Sequence, residues 1–240
     1  FADEDLLPLL EPIWDKVPCV ELLVICRHGE GGESSFKNQI DYEDFIKGHD
    51  ESYDWPQIDE NSPMGLCYTS GTTGKPKGVM YTHRSTYLHT MAGCLTDAMG
   101  LTALDSLLGI VPMFHAMGWG LPFNASMLGC KHVMPHRFMT PDRFLQLMHD
   151  EGVTIATGVP TIWQGVKAAI DAADGKFDLS KLDRLTCGGS APPVSMMRWY
   201  WDTLGVEMIQ GWGMTETNPL GTLSRKCAKY TQQTMSEDQQ

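Results

Sequence analysis

The sequence predicts an α/β protein built on a mostly parallel, doubly wound sheet that is flanked by helices. Short apolar runs alternate with helical patterns along most of the chain, which is the order of elements typical of such sheets. The motifs that could carry chemistry directly follow predicted strands, and in this architecture ligands bind beyond the carboxyl ends of strands. The 240 residues suffice for one large domain or two small ones.

The individual elements are predicted from local patterns, taken in chain order. Strands are expected at residues 20–26, 64–68, 79–81, 107–111, 132–134, 153–157, 185–187 and 206–209, and the strand at 206–209 is expected to be the last one. Helices are expected at residues 41–47, 83–99, 141–151, 160–173 and 192–204. The strands are short apolar runs, as expected where both faces of a sheet are covered. An apolar, glycine-containing segment at 112–128 lies between two of them.

The helix boundaries are predicted from capping residues and from spacing. Asp41 is a suitable N-cap for the first helix, and Gly48 is a suitable stop. Apolar side chains at four-residue spacing, ahead of Gly100, predict that the second helix is amphipathic. This spacing is seen at Tyr87, Met91, Leu95 and Met99. The later helices begin at a proline, which suits the first turn of a helix.

Composition argues against several classes of protein. The net charge of −12 disfavours a nucleic-acid or anionic-membrane surface. No apolar run approaches the roughly 18 residues that a transmembrane helix needs. The seven cysteines are widely spread and include no C-x-x-C pair. Neither a disulfide framework nor a zinc site is therefore predicted, and a reducing cytoplasm fits best.

The most informative stretch is YTSGTTGKPKG at residues 68–78, which joins two predicted strands. Its glycines let a ligand approach the backbone closely, and its N–H groups, hydroxyls and lysines favour an anion. It is not a Walker A loop, because Pro76 and Gly78 stand where that motif has a glycine and a hydroxyl residue. The stretch therefore predicts a phosphate-binding loop, with a flexible polar turn as the alternative.

A second motif, VPMFHAMGWGLPF at residues 111–123, follows the strand predicted at 107–111. Its apolar side chains, such as Phe114 and Trp119, would suit a pocket for an apolar carboxylic acid with few polar contacts. The alternative is that His115 is a hydrogen-bonded residue of the core, as a lone histidine in an apolar setting often is.

Two further motifs contain paired or closely spaced glycines. CGGSAPP at residues 187–193 predicts a tight turn from a strand into a helix, for which ordinary architecture is the alternative explanation. QGWGMTET at residues 210–217 follows the last predicted strand and carries Thr215 and Glu216. One carboxylate with phosphate oxygens is a donor set that suits Mg²⁺, which prefers oxygen ligands.

Together the four motifs resemble, in order and in residue type, the signatures of the adenylate-forming superfamily. That superfamily includes acyl-CoA synthetases, aryl-CoA ligases, luciferases and peptide-synthetase adenylation domains. The spacing from His115 to Trp119 is most similar to that of fatty acyl-CoA synthetases. Trp212 stands where the superfamily usually has tyrosine, and it keeps an aromatic face for adenine. The resemblance covers residues 68–217.

The resemblance implies a site for ATP, Mg²⁺ and an apolar acid. Catalytic roles would fall to Lys77, His115, Thr215 and Glu216. The metal ligands would be Thr69 and Glu216. The nucleotide would contact Thr69, Ser70, Gly71, Thr72, Thr73, Gly74, Lys77, Ala116, Trp119, Gly189, Gln210, Gly211, Trp212 and Thr215.

The reaction implied by the resemblance has two halves. A carboxylate attacks the α-phosphate of ATP to give an acyl-adenylate and pyrophosphate, and the acyl group then passes to coenzyme A. A fatty acid is the expected substrate. A methylmercaptopropionate-type acid, a luciferase-like or carrier-protein acceptor, and a non-catalytic nucleotide-binding module are the alternatives, and a homodimer is left open.

The resemblance also predicts how the chain is organised. Residues 1–230 are expected to be part of a large AMP-binding domain, and residues 231–240 a polar tail. The start of that domain and a small C-terminal domain are expected to lie outside these 240 residues. On this expectation, the piece alone would bind ATP weakly and turn over poorly.

Overall fold

The computed structural model describes residues 1–29, 35–69, 74–137 and 139–226. The chain divides into two compact units, Phe1–Gln57 and Ile58–Gln240. Within the described ranges, no helix combines the length and the apolar character that crossing a membrane requires.

The first unit is a small parallel sheet with short helices. Its strands, in spatial order, are β1 (Ala2–Asp3), β2 (Leu23–Cys26) and β3 (Gln39–Asp41), and its helices are α1 (Leu7–Leu10) and α2 (Tyr42–Ile46). Leu23 and Phe36 are buried in its core. The strand predicted at 20–26 is confirmed from Leu23 onwards. Asp41 precedes α2 as predicted, but its carboxylate accepts a hydrogen bond from Nε of Arg27 at 2.7 Å and does not cap the helix.

The second unit begins with a hairpin that carries the predicted phosphate loop. β4 (Pro63–Thr69) and β5 (Lys77–Thr82) are antiparallel and form a separate two-stranded sheet. The loop joins them as predicted, although Ser70, Gly71, Thr72 and Thr73 lie outside the described residues. The expectation that all four motifs lie at the ends of neighbouring parallel strands is wrong for this one.

α3 (His83–Cys94) follows β5 directly and turns its small-residue face inward. The helix is shorter than predicted. The two stripe residues that lie in it are exposed, Tyr87 at 59% and Met91 at 47%, whereas Thr90 is 2% accessible; Met99, beyond the end of the helix, is buried. The small-residue face is buried in place of the apolar one because α3 packs closely on its neighbour: the side-chain amide of Asn124 donates to the carbonyl oxygen of Thr90 at 2.9 Å. Larger side chains on that face of the helix would prevent this approach.

Among the residues that the structure describes, the larger sheet of the second unit has six strands. They are β6 (Ser106–Gly109), β7 (Lys131–Val133), β8 (Ile155–Gly158), β9 (Arg184–Cys187), β10 (Glu207–Gly213) and β11 (Leu220–Leu223), in the spatial order β11-β10-β9-β8-β6-β7. Every neighbouring pair is parallel except β10–β11. The mostly parallel sheet is confirmed. The expectation that the strand at 206–209 is the last one is wrong, since β10 runs through residues 210–213 and β11 follows it.

Helices cover both faces of this sheet. They are α5 (Leu121–Leu128), α6 (Pro141–Asp150), α7 (Pro160–Ala173) and α8 (Val194–Leu204), and the short segment α4 (Ala116–Trp119) precedes α5. Leu107 and Leu108 are neighbours in β6, so their side chains point to opposite faces, and both are fully buried. Leu108 packs in a core with Phe144 and Trp163, whereas Leu107 packs in another core with Leu121. The predicted doubly wound arrangement is therefore confirmed.

Candidate active site

A cavity of about 270 Å³ opens at the carboxyl ends of β8, β9 and β10. Seven of the residues that the sequence predicts for the site line it: His115, Ala116, Trp119, Gly189, Gly211, Trp212 and Thr215. The second, third and fourth motifs are far apart in the sequence but share this cleft. Their meeting follows from the topology, because parallel strands present their carboxyl ends at one edge of the sheet.

The other described residues of the predicted site lie outside the cavity lining. They are Thr69, Gly74, Lys77, Gln210 and Glu216. Thr69 ends β4 and pairs with Lys77 at the start of β5, so both flank the phosphate loop. Glu216 directly follows Thr215 and is exposed. The roles assigned to these residues stay predictions.

The segment labelled α4 is a left-handed turn. Five successive residues have positive φ: Ala116 (46°), Met117 (53°), Gly118 (62°), Trp119 (58°) and Gly120 (77°). This conformation costs roughly 1–2 kcal/mol for each residue other than glycine, so the surroundings must hold Ala116, Met117 and Trp119 in place. The turn brings Ala116 and Trp119 to the cavity, while the side chain of Met117 fills the space beside Gly65 of β4.

Two indole rings line the cavity, and each lies against a glycine. A Cβ atom on Gly188 would lie 2.7 Å from Cη2 of Trp119, and one on Gly221 would lie 2.7 Å from Cζ3 of Trp212. A side chain at either glycine would therefore displace the ring. Trp212 is 54% exposed, which leaves ring surface on which a planar ligand can stack.

The fourth motif closes into a tight turn after β10. The N–H of Met214 donates to the carbonyl oxygen of Pro219 at 3.0 Å, which joins the two ends of the turn. Gly213 has no room for a side chain, because a Cβ there would overlap the same carbonyl oxygen. The turn places Thr215 at the cavity, with Glu216 next in the chain.

Side chains from the hairpin and from α3 contact this turn and the start of β11, among them Tyr81 and His89. The hydroxyl of Tyr81 donates to the carbonyl oxygen of Thr215 at 2.6 Å. Burial is the main cause that raises the pKa of Tyr81 to about 12, so the hydroxyl keeps its proton. Nε2 of His89 accepts the N–H of Leu220 at 2.9 Å. Burial lowers the pKa of His89, which favours the neutral imidazole that this bond requires.

The inner wall of the cavity is apolar. Met99, Leu121 and Leu223 line it, and the first two are buried in the core cluster beside β6. Cys187 lines it as well, and burial raises the pKa of its thiol to about 12. The thiolate is the nucleophilic form of cysteine, so Cys187 contributes a neutral, apolar surface. Such a wall suits the hydrocarbon part of a ligand.

Several cavity residues are not singled out by the sequence. Gly188 and Gly213 lie within the recognised motifs, but nothing local indicates which glycine an aromatic ring or a carbonyl group will approach. Met99 is predicted only as an apolar position of a helix. His89 follows no pattern, because its contact with Leu220 joins residues 131 positions apart.

Comparison with known proteins places these observations in a wider context. A family model described as "AMP-binding enzyme" matches residues 3–238. The chain is 44% identical over 231 residues to a medium-chain-fatty-acid–CoA ligase of Ectopseudomonas oleovorans, covering 96% of this chain and 42% of that protein. It is 41% identical over 234 residues to a 3-methylmercaptopropionyl-CoA ligase of Ruegeria lacuscaerulensis, with coverage of 96% and 42%. The chain thus spans about two-fifths of the length of these curated relatives.

A solved structure extends the similarity to three dimensions. The anthranilate CoA ligase AuaEII, in complex with anthranoyl-AMP, matches with a TM-score of 0.81 and 25% sequence identity. The match covers 93% of this chain and 42% of that one.

Proposed function

This chain belongs to the AMP-binding enzyme family, and on that premise we propose that the intact protein is an acyl-CoA synthetase. It uses ATP to activate an apolar carboxylic acid, a fatty acid, and transfers the acyl group to coenzyme A. The observation that carries the proposal is one cleft in which Trp119, Trp212 and Thr215 meet an apolar wall. The relative named as a medium-chain-fatty-acid–CoA ligase supports the substrate class.

In the first half-reaction a carboxylate oxygen of the acid attacks the α-phosphorus of ATP. The new O–P bond forms as the bond to the pyrophosphate oxygen breaks. Because the acid is already a nucleophile, the protein mainly positions the reactants and stabilises charge. We assign adenine stacking to Trp212, the α-phosphate contact to Thr215 and orientation of the carboxylate to His115. Lys77 and the hydroxyls of the phosphate loop neutralise the leaving pyrophosphate.

We assign Mg²⁺ to Glu216 and Thr69. Glu216 is exposed in the turn beside Thr215, and Thr69 is the last residue of β4, next to the phosphate loop. One carboxylate and one hydroxyl, completed by phosphate oxygens and water, form a donor set that Mg²⁺ accepts. When bound, the ion would neutralise phosphate charge. This chain would supply two of its ligands, a carboxylate oxygen of Glu216 and the hydroxyl oxygen of Thr69.

The cytoplasm is the proposed location of the protein. The cysteines in the described part of the chain are free: Cys19, Cys26, Cys67, Cys94, Cys130 and Cys187. Free thiols are typical of reducing compartments, whereas secreted proteins commonly pair their cysteines.

A short thioether acid is the second candidate substrate. The relative named as a 3-methylmercaptopropionyl-CoA ligase, at 41% identity, favours it. The apolar wall formed by Met99, Leu121 and Leu223 suits either acid. The two candidates therefore differ in the length of acid that the cavity accepts, which an assay can rank.

ATP–pyrophosphate exchange by the intact protein tests the proposed function. The acids are graded in length from 3-methylmercaptopropionate to long-chain fatty acids, with and without Mg²⁺. We expect exchange that depends on both acid and metal, and acyl-CoA formation once coenzyme A is added. ATP binding without exchange for any acid would instead indicate a non-catalytic module. Exchange without thioester formation would indicate a different acceptor.

Replacing Gly188 by alanine should weaken use of the acid. The added methyl group would lie 2.7 Å from the ring of Trp119 and force the indole to move. Overpacking of this kind costs about 1–3 kcal/mol, so we expect kcat/KM for the acid to fall about tenfold. Gly29→Ala is the matched control, since no atom of the described residues lies within 4 Å of a Cβ there. Equal kcat/KM values for the two variants would contradict the role given to Trp119.

Replacing Met99 by alanine should shift the preference towards longer acids. Met99 is 6% exposed and lines the apolar wall, so its truncation deepens the cavity. Each buried methylene contributes roughly 0.8 kcal/mol. For an acid about two methylenes longer than the one the wild type prefers, kcat/KM should therefore be close to tenfold higher in the variant than in the wild type. Met91→Ala, on the exposed face of α3, is the control. An unchanged ranking of acids in Met99→Ala would show that the acyl chain lies elsewhere.

A further inference from the structure

Three side chains reach from β5 and α3 to the turn of the fourth motif and to the first residue of β11. The Tyr81 hydroxyl donates to the Thr215 carbonyl oxygen at 2.6 Å, the Ser85 hydroxyl donates to Oδ1 of Asn218 at 2.7 Å, and the Leu220 N–H donates to Nε2 of His89 at 2.9 Å. Ser85 and His89 lie four residues apart on one side of α3, and Tyr81 precedes that helix in β5, so the three contacts are spread along residues 215–220. Tyr81, Ser85 and His89 are called the anchor residues below.

The anchor residues connect two parts of the site that are remote in sequence. Tyr81 lies in β5, the strand that begins at Lys77 as the chain leaves the phosphate loop. The segment that the anchor residues contact carries Thr215 and Glu216. The contacts therefore link the elements to which the leaving pyrophosphate, the α-phosphate and the metal are assigned.

We propose that the anchor residues are positioning residues for adenylate formation. They fix the turn of the fourth motif relative to the hairpin of the phosphate loop, so that Thr215 and Glu216 meet the triphosphate in one arrangement. This inference rests on the proposed function for its effect on rate. Its structural part, that these side chains hold the turn in place, can be measured without any activity.

Each anchor residue is kept in the chemical form that its bond requires. Tyr81 is 3% exposed and stays protonated, so it remains a donor. The oxygen of Ser85 accepts the N–H of Thr82 at 3.0 Å in the capping box of α3, which fixes its position. The same oxygen lies 2.7 Å from Asn218 and 3.2 Å from the Thr82 carbonyl, so its one proton favours Asn218. His89 acts through the lone pair of neutral imidazole.

The bonds within the turn cannot replace these contacts. The bond from the N–H of Met214 to Pro219 closes the turn on itself and determines its shape. It does not connect the turn to the hairpin. The anchor residues therefore determine where the turn lies relative to the hairpin. A displacement of reacting groups by about 1 Å can cost on the order of 10²-fold in rate.

Conservative variants of the intact protein test the effect on rate. Tyr81→Phe removes one hydroxyl, and Tyr87→Phe removes a hydroxyl from the exposed face of α3 as the matched control. His89→Leu removes the acceptor, whereas the amide oxygen of His89→Gln can restore it. We expect Tyr81→Phe and His89→Leu to lower kcat for ATP–pyrophosphate exchange about tenfold or more, with little change in KM for ATP. His89→Gln should recover most of the loss, and Tyr87→Phe should match the wild type.

Hydrogen–deuterium exchange of residues 214–223 tests the structural part independently. Losing two hydrogen bonds makes local opening of this segment easier, so its amides should exchange deuterium about 10- to 30-fold faster in Tyr81→Phe/His89→Leu. An unchanged rate of hydrogen–deuterium exchange in residues 214–223 would overturn the inference whatever the kinetics show. A normal kcat in Tyr81→Phe and His89→Leu, in a protein whose wild type is active, would overturn the effect on rate. A wild-type protein that shows no acid-dependent ATP–pyrophosphate exchange would contradict the proposed function. Deuterium exchange would then still decide whether the anchor residues hold the turn.

Discussion

Replacing Gly213 by alanine should reduce ATP–pyrophosphate exchange by the intact protein at least about 100-fold. A Cβ on Gly213 would overlap the carbonyl oxygen of Pro219 and lie 3.2 Å from Cα of Leu220. These are backbone atoms, so no side-chain rotation can relieve the overlap. The turn must open, and Thr215 and Glu216 must move with it.

Two other glycines make this prediction specific. Gly211→Ala lies in the same strand, but its new methyl group would meet the side chain of Leu223 at 3.2 Å, which can shift. We therefore expect a smaller loss of exchange for Gly211→Ala than for Gly213→Ala. Gly29→Ala, whose new methyl group would meet no atom of the described part of the chain within 4 Å, should match the wild type. Exchange by Gly213→Ala within threefold of that control, about 0.7 kcal/mol, would show that the turn does not position the reactants.

The sheet and the cleft could be predicted because they depend on patterns within short segments. Buried strands such as β8 and β9 are apolar runs, and the glycines that follow them indicate turns at the carboxyl edge. Once the strands are parallel, topology brings residues such as His115, Gly189 and Thr215 to one edge without further information. The Gly/Ser/Thr composition of residues 68–78 likewise indicates a loop between two strands.

The left-handed turn at residues 116–120 could not be predicted in this way. Ala116, Met117 and Trp119 disfavour positive φ, and local preference argues against the conformation that the chain adopts. The compensation comes from distant residues, because the side chain of Met117 fills the space at Gly65 and the ring of Trp119 lies against Gly188. A strained segment at the cavity is where local rules are expected to fail.

The orientation of α3 shows a second limit of sequence patterns. The apolar stripe of Tyr87, Met91, Leu95 and Met99 predicts one buried face, but within α3 Thr90 and Gly93 are buried instead, and only Met99, beyond the end of the helix, is buried as predicted. Spacing reveals that a helix has two faces, whereas the choice between them depends on its neighbours. Here the side-chain amide of Asn124 bonds to the backbone of Thr90, which requires a close approach. Contacts across 34 residues leave no signature in the helix itself.

Replacing Asp105 by alanine should lower the free energy of unfolding by about 3 kcal/mol or more, because it removes hydrogen bonds to a buried carboxylate that are worth about 1.5–3 kcal/mol each. Asp105 is 7% exposed and lies just before β6, at the edge of the sheet opposite the cavity. Its carboxylate accepts bonds from the Thr102 N–H at 2.7 Å, the Thr154 hydroxyl at 2.6 Å and the Arg184 guanidinium at 2.7 Å. Thr154 precedes β8 and Arg184 begins β9, so one carboxylate ties together the starts of three adjacent strands. Urea unfolding at neutral pH measures the loss.

The same carboxylate predicts how the loss depends on pH. Burial raises the pKa of Asp105, but bonds from Thr154 and Thr102 and the charge of Arg184 outweigh it, so the pKa in the folded state is lowered. Such a group stabilises the fold above its unfolded-state pKa, about 3.9, and loses that effect as pH falls through the folded-state value. The gap in urea midpoint between wild type and Asp105→Ala should therefore be steady above about pH 5 and shrink below about pH 4. Asp202→Ala, at an exposed position of α8, should show little change at any pH. A gap that widens on acidification would mean that the carboxylate is not the group that stabilises these strand ends.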